Sequence, residues 1–177
     1  MQKQMSNLIE EYKQARPEYE EYTKKIYELI CNLIKESSIK TYSVDKRTKG
    51  IENLEEKLCR KGNAYNQLSD ITDLSGVRVV CYFSSEVEHI AKIIEQNFMI
   101  IPELSIDKKK LLDPDRFGYL SLHYVVKLSE TRKNLLEYRK CQDLLCEIQI
   151  RSILQHSWAE IEHDLVPIRK VGNAIEK

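Results

Sequence analysis

Charge of one sign is not in excess: Lys+Arg and Asp+Glu both number 28, and the formal net charge is zero. A large uniformly basic surface, the footprint of a duplex-binding protein, is therefore not evident, though a balanced total leaves room for local basic clusters. No apolar run reaches the roughly 18 residues of a membrane span, and no N-terminal signal pattern is seen, so no membrane partner is expected. The five cysteines (31, 59, 81, 141 and 146) are odd in number and form no CxxC pair. Cys81 and Cys146 fall inside strand-like runs and read as small core residues; a reduced cytoplasm is the expected compartment. GxGxxG and Walker A patterns are both missing, so any nucleotide phosphates must be held by side chains. There is no internal repeat, low-complexity tract or second domain, and 177 residues suit one domain with a real core.

What is present is alternation. In Leu144–Arg151, Cys146, Ile148 and Ile150 fall on one face and Glu147, Gln149 and Arg151 on the other. The apolar half reads as a core strand. The polar half is either water-facing or the floor of a polar site. Gly118–Leu128 alternates too, with Leu120, Leu122, Tyr124, Val126 and Leu128 opposite Tyr119, Ser121, His123, Val125 and Lys127. Gly76–Phe83 is nearly all apolar, as a central strand is, yet carries Arg78. An arginine there needs a partner or a solvated cleft.

Helical periodicity fills much of the rest. Leu8, Ile9 and Tyr12 mark one helix before Pro17; Tyr19, Tyr22, Ile26, Leu29, Ile30 and Leu33 mark a second, which Pro17 opens and Ser37-Ser38 ends. Residues 39–44 form a short strand candidate, and 51–61 a helix closed by Gly62. A helix over about 85–97 is expected to be capped by Ser85 with Glu88. Residues 98–104 are a further strand candidate, 107–117 an irregular loop, 129–142 a polar connection, and 152–165 a last helix stopped near Pro167. Helices followed by interleaved strands and helices predict an α+β fold, a mixed sheet of about five strands flanked by helices, with N-terminal helices.

Four motifs now stand in order: Arg47-Thr-Lys49, Asp73-Leu-Ser-Gly-Val-Arg78, Gly118-Tyr-Leu-Ser-Leu-His123 and Glu147-Ile-Gln-Ile-Arg151. Together with Ser157-Trp-Ala-Glu-Ile-Glu-His163, this succession resembles the RelA/SpoT-type (p)ppGpp synthetase domains, small alarmone synthetases among them, over residues 40 to 170. The resemblance implies a nucleotidyltransferase-like fold, a single domain over 1–177 with N-terminal helices in 1–38 and a catalytic core in 39–170, and ATP and GTP or GDP as substrates. It also implies Mg²⁺ held by Asp73 and Glu147, the latter assisting removal of the acceptor hydroxyl proton. Arg47 and Arg78 match arginines that flank the donor adenine, a role suited to a guanidinium plane. Lys49 and Lys57 match basic positions near the donor phosphates. Tyr119 matches the platform for the acceptor guanine, after a Gly118 that permits close approach. His123 and Gln149 complete the acceptor side.

Each assignment has a plainer alternative: a turn residue for Asp73, a solvated helix face for Lys57, an ordinary tyrosine for Tyr119, a structural histidine for His123. His156, Glu160 and His163 share one helix face but lack HExxH spacing, so a helix-to-sheet polar contact is expected there rather than a metal. His163-Asp164 is unaccompanied by further hydrolase ligands, and no alarmone hydrolysis is expected. Two departures fall in the family pattern: Asn53 replaces a serine, and Arg116-Phe117 replaces Pro-Asn before Gly118. They keep open a related toxin acting on tRNA 3′ ends or adenosine nucleotides. A non-catalytic nucleotide sensor is the third reading, against which the retained Asp73 and Glu147 argue. Self-association stays open.

Overall fold

A computed structural model of the chain describes residues 2–61, 64–107 and 121–161. Its centre is a mixed sheet of six strands: β1 (Thr41–Thr48), β2 (Ser75–Cys81), β3 (Phe98–Ile100), β4 (Ile106–Asp107), β5 (Leu122–Leu128) and β6 (Cys146–Ser152). The order is β1-β2-β6-β5-β3, with the two-residue β4 also pairing β5. β2 and β6 run parallel; the other pairs are antiparallel. The expected mixed sheet with flanking helices is what forms.

One sheet face is dry. Val77, Val79 and Cys81 of β2, Cys146, Ile148 and Ile150 of β6, and Val126 and Leu128 of β5 pack under two helices, α1 (Gln2–Glu36) and α3 (Ser84–Asn97). α1 supplies Tyr22, Ile26, Ile30 and Ile34 at four-residue steps; α3 supplies Val87, Ile90, Ala91 and Ile94. Burial pushes the thiols of Cys81 and Cys146 up to about 12, as befits inert core residues. A second cluster joins Leu8, Tyr12 and Tyr19 of α1 to Leu54 and Leu58 of α2 (Ile51–Lys61), with Leu68, Ile71 and Leu74.

Several boundaries differ from expectation. Pro17 does not separate two helices but lies inside one 35-residue helix. Proline removes one backbone donor and crowds the preceding turn. Here it sits on the exposed side, where the freed carbonyl can meet water. On the opposite side Tyr12 and Tyr19 are buried edge-to-face, ring centroids 5.7 Å apart, which holds the two halves in line. The helix ends before Ser37-Ser38 as expected, and Ser38 turns the chain with φ 59°. The strand expected over 39–44 instead runs to Thr48, because β1 pairs β2 from Thr41↔Cys81 to Thr48↔Ser75 whatever the polarity of its end. The cap of α3 is not Ser85 with Glu88: the Phe83 N–H donates to Glu86 Oε2 at 3.0 Å, two residues earlier. Past Ile100 the expected strand becomes a 3₁₀ turn at Pro102–Leu104, since proline cannot donate to a ladder. The polar connection contains a short helix, α4 (Glu130–Lys133), and a 3₁₀ segment, Leu136–Cys141. Residues 153–161 are helical and form α5. Gly62, most of the 107–117 loop, Gly118–Leu120 and the end of the last helix lie outside the described residues.

Candidate nucleotide and metal site

The other sheet face is polar, and strand register decides what meets on it. Cα pairing places Asp45 opposite Arg78, Arg78 opposite Gln149, and Gln149 opposite His123, one row across four strands. The neighbouring row runs Arg47, Gly76, Glu147, Val125. A Cβ on Gly76 would lie 3.6 Å from the Arg47 carbonyl oxygen and 3.7 Å from that of Glu147. The bare glycine thus leaves the floor between those residues open, where a longer side chain would fill it.

A cavity of about 220 Å³ lies over this floor, lined by Arg47, Lys49, Asp73, Arg78, Glu147 and Gln149 among others. A second, of about 340 Å³, shares Arg47, Lys49 and Asp73 and adds Asn53, Glu56, Lys57 and Arg60 from α2. Backbone contacts hold the rim: the Tyr12 hydroxyl donates to the Lys49 carbonyl at 2.7 Å, and the Lys49 N–H to the Leu74 carbonyl at 2.9 Å. A buried hydroxyl group, Thr23–Ser75 at 2.8 Å and Thr48–Thr23 at 3.1 Å, pins α1 to the start of β2.

Asp73 occupies a turn just before β2, so its turn reading and its place in the cavity both hold. Lys49 Nζ lies 2.8 Å from its Oδ2 and Lys57 Nζ 2.7 Å from its Oδ1. Burial raises the carboxyl's pKa, but hydrogen bonds and charge from the two lysines outweigh it and leave Asp73 below its usual range. Lys57 Nζ also lies 5.5 Å from the centroid of the Tyr65 ring, within the roughly 6 Å reach of a cation–π contact. Glu147 is treated similarly. Burial again raises its pKa; the bond and charge from His123, then Gln149, prevail, although Asp73 repels. Its Oε1 is 2.9 Å from His123 Nδ1, and its Oε2 accepts from Gln149 Nε2 at 3.1 Å.

Arg47 Nη2 donates to Asn53 Oδ1 at 2.9 Å. Arg78 Nη1 stands 3.6 Å from Glu160 Oε1 of α5, and His156 Nδ1 is 3.5 Å from the same oxygen. Burial, with the charges of Arg151 and Arg78, lowers the pKa of His156. Glu160 thus makes the expected helix-to-sheet contact; His163 lies outside the described residues. Of the sequence-selected residues, Arg47, Lys49, Lys57, Asp73, Arg78, His123, Glu147 and Gln149 come together on one face. Tyr119 lies outside the described residues. Sequence reasoning passed over Asp45 and Arg60 as site residues. Arg60 could have been found: Asn53, Lys57 and Arg60 recur at four and three residues, one face of α2. Asp45 could not, because only the β1–β2 register brings it beside Arg78.

Two carboxylates beside a bank of cations make a site suited to a polyphosphate and a divalent cation. Among the described residues no group of three or more His, Cys, Asp or Glu could hold a metal ion by itself. Two ionised carboxylates in one cavity nevertheless fit Mg²⁺, which is usually bound by one or two carboxylates plus substrate phosphates.

Comparison with known proteins gives the family. The family described as "Region found in RelA / SpoT proteins" matches residues 46–166, and the chain belongs to it. Two curated relatives come from Bacillus subtilis (strain 168). GTP pyrophosphokinase YwaC is 32% identical over 74% of this chain and 60% of its own length. GTP pyrophosphokinase YjbM is 27% identical over 74% of this chain and 58% of its own. The chain therefore spans about three-fifths of the curated relatives it matches. A crystal structure of small alarmone synthetase 2 from Bacillus subtilis superposes with a TM-score of 0.68 at 26% identity, covering 92% of this chain and 82% of that one. No helix among the described residues is long and apolar enough to cross a membrane.

Proposed function

We propose that the protein is a GTP diphosphokinase, moving the β,γ-pyrophosphoryl group of ATP to the 3′-hydroxyl of GTP or GDP to give (p)ppGpp. The observation that carries this reading is the convergence of Asp73 and Glu147 on one cavity walled by Arg47, Lys49 and Arg78, with Lys57 in the adjoining cavity. The two GTP pyrophosphokinase relatives support the reaction class. Pyrophosphoryl transfer is governed by alignment and by neutralising oxygen charge. Lys49 and Lys57 bring two ammonium groups to the donor phosphates; Arg47 and Arg78 flank the adenine. Glu147 takes the proton of the acceptor 3′-hydroxyl as the oxygen attacks the β-phosphorus of ATP, and AMP leaves. Tyr119, His123 and Gln149 receive the guanine nucleotide. Mg²⁺, held by Asp73 and Glu147, would supply further charge neutralisation at the phosphates. The five free cysteines suit a reducing compartment, and we place the protein in the cytoplasm.

Incubation with γ-labelled ATP and Mg²⁺ beside GDP, GTP, ADP, ATP or deacylated tRNA tests the reading. Label is expected in the guanine nucleotides. Label in ADP, ATP or tRNA instead would overturn the acceptor while keeping the transfer, and no label anywhere would overturn both.

A further inference from the structure

The hydrogen bonds around Glu147 have a direction, and it can be derived from which groups are able to donate. The ionised carboxylate can only accept. His123, 2.9 Å from Oε1 through Nδ1, must therefore carry its proton on Nδ1. In a neutral imidazole the other nitrogen is then an acceptor. His123 Nε2 lies 2.8 Å from Ser121 Oγ, so when the ring is neutral the serine hydroxyl donates to it. On its other oxygen Glu147 accepts again. Gln149 gives its Nε2 to Glu147 Oε2 at 3.1 Å, and its Oε1 accepts from Arg151 Nη2 at 3.1 Å. A guanidinium only donates, so the amide has one orientation that satisfies both neighbours. Two short chains, Ser121–His123 and Arg151–Gln149, thus lead to one carboxylate.

Ser121 is 3% exposed and Arg151 4% exposed, so neither is placed to meet a substrate directly. Both act through a neighbour. We propose that Ser121 is a positioning residue: its hydroxyl holds His123 with the proton on Nδ1, and His123 in turn orients Glu147 towards the cavity. The inference rests on the proposed transfer reaction for its kinetic consequence but not for its hydrogen bonds. It also changes the part assigned to His123. With both ring nitrogens engaged, the histidine serves Glu147 in the free protein rather than offering a spare donor to an acceptor phosphate. Strand geometry explains the arrangement. Ser121 and His123 are two residues apart on one face leading into β5, and β5 pairs β6 with His123 opposite Gln149 and Val125 opposite Glu147.

The test pairs nitrogen-15 NMR of the imidazole with kinetics on the full chain. In alkaline buffer, with the ring neutral, the wild-type His123 should carry its proton on Nδ1 and show an Nε2 resonance shifted by an accepted hydrogen bond. In Ser121→Ala that Nε2 resonance should move to the position of an acceptor without a donor. Turnover should fall about tenfold, the scale for removing a group that orients a ligand or base, with KM for ATP unchanged. Should the alanine variant not fold, Ser121→Cys keeps the shape with a much weaker donor and makes the same two readings. A wild-type proton on Nε2, an unmoved Nε2 resonance or undiminished turnover would each overturn the proposal. If the wild-type chain transfers no pyrophosphate, the proposed reaction fails, and the two NMR readings still decide the hydrogen-bond relay.

Discussion

Lys49 and Lys57 each take a different oxygen of Asp73, and this small cluster ties charge to stability. The Lys49 side chain is only 10% exposed. Asp73→Asn would leave its ammonium buried without a counter-charge, a loss of about 1–3 kcal/mol at neutral pH. The sign with pH follows from the lowered carboxyl. Its contribution is complete above the ordinary value of 3.8 and disappears as pH falls through the lower folded value. Wild type should therefore lose stability more steeply than Asp73→Asn below that ordinary value, and the gap between them should close. Urea unfolding at pH 7 and near pH 3 measures this; a gap independent of pH would refute the linkage. Glu147, likewise lowered, adds to the acid sensitivity of both proteins.

At the scale of elements, β6 does two things at once. Cys146, Ile148 and Ile150 seat it on the core, while Glu147 and Gln149 form the site floor and Arg151 backs Gln149. That division was legible in the alternation of Leu144–Arg151, as were the burial of β2 and the core stripes of α1 and α3. α1 shows what was not. Pro17 is a strong local stop signal, and it is overridden because Leu8 and Tyr12 before it and Tyr19 after it join the same buried cluster. A proline inside a helix is nonetheless unfavourable relative to alanine. Pro17→Ala is expected to raise stability by about 1–2 kcal/mol, less than the full propensity difference because proline also restricts the unfolded chain. Denaturant unfolding reads this directly, and a destabilised variant would mean that the ring itself supports the helix. The extension of β1 to Thr48 was equally hidden, since its Asp45-Lys46-Arg47 end has no strand-like composition and is shaped by pairing with β2.

Across the whole molecule, the site is assembled from segments far apart in sequence: β1, the link after it and α2 bring Arg47, Lys49 and Lys57, the turn before β2 brings Asp73, β6 brings Glu147, and β5 sets His123 against Glu147. Motif order made most of these residues legible because each motif is short and local. What it could not give was who touches whom. The lysine pair on Asp73, the Ser121–His123–Glu147 chain and the place of Asp45 beside Arg78 depend on strand register and on the packing of α2 against α1. The proposed pyrophosphoryl transfer puts Glu147 at the reacting centre of this assembly. Glu147→Gln tests it most directly, because the amide keeps the size of the side chain and removes its charge, while Ile148 and Ile150 still anchor the strand. Pyrophosphoryl transfer at saturating Mg²⁺ should fall by at least about a hundredfold with thermal unfolding little changed. Wild-type turnover in a folded Glu147→Gln protein would contradict the account.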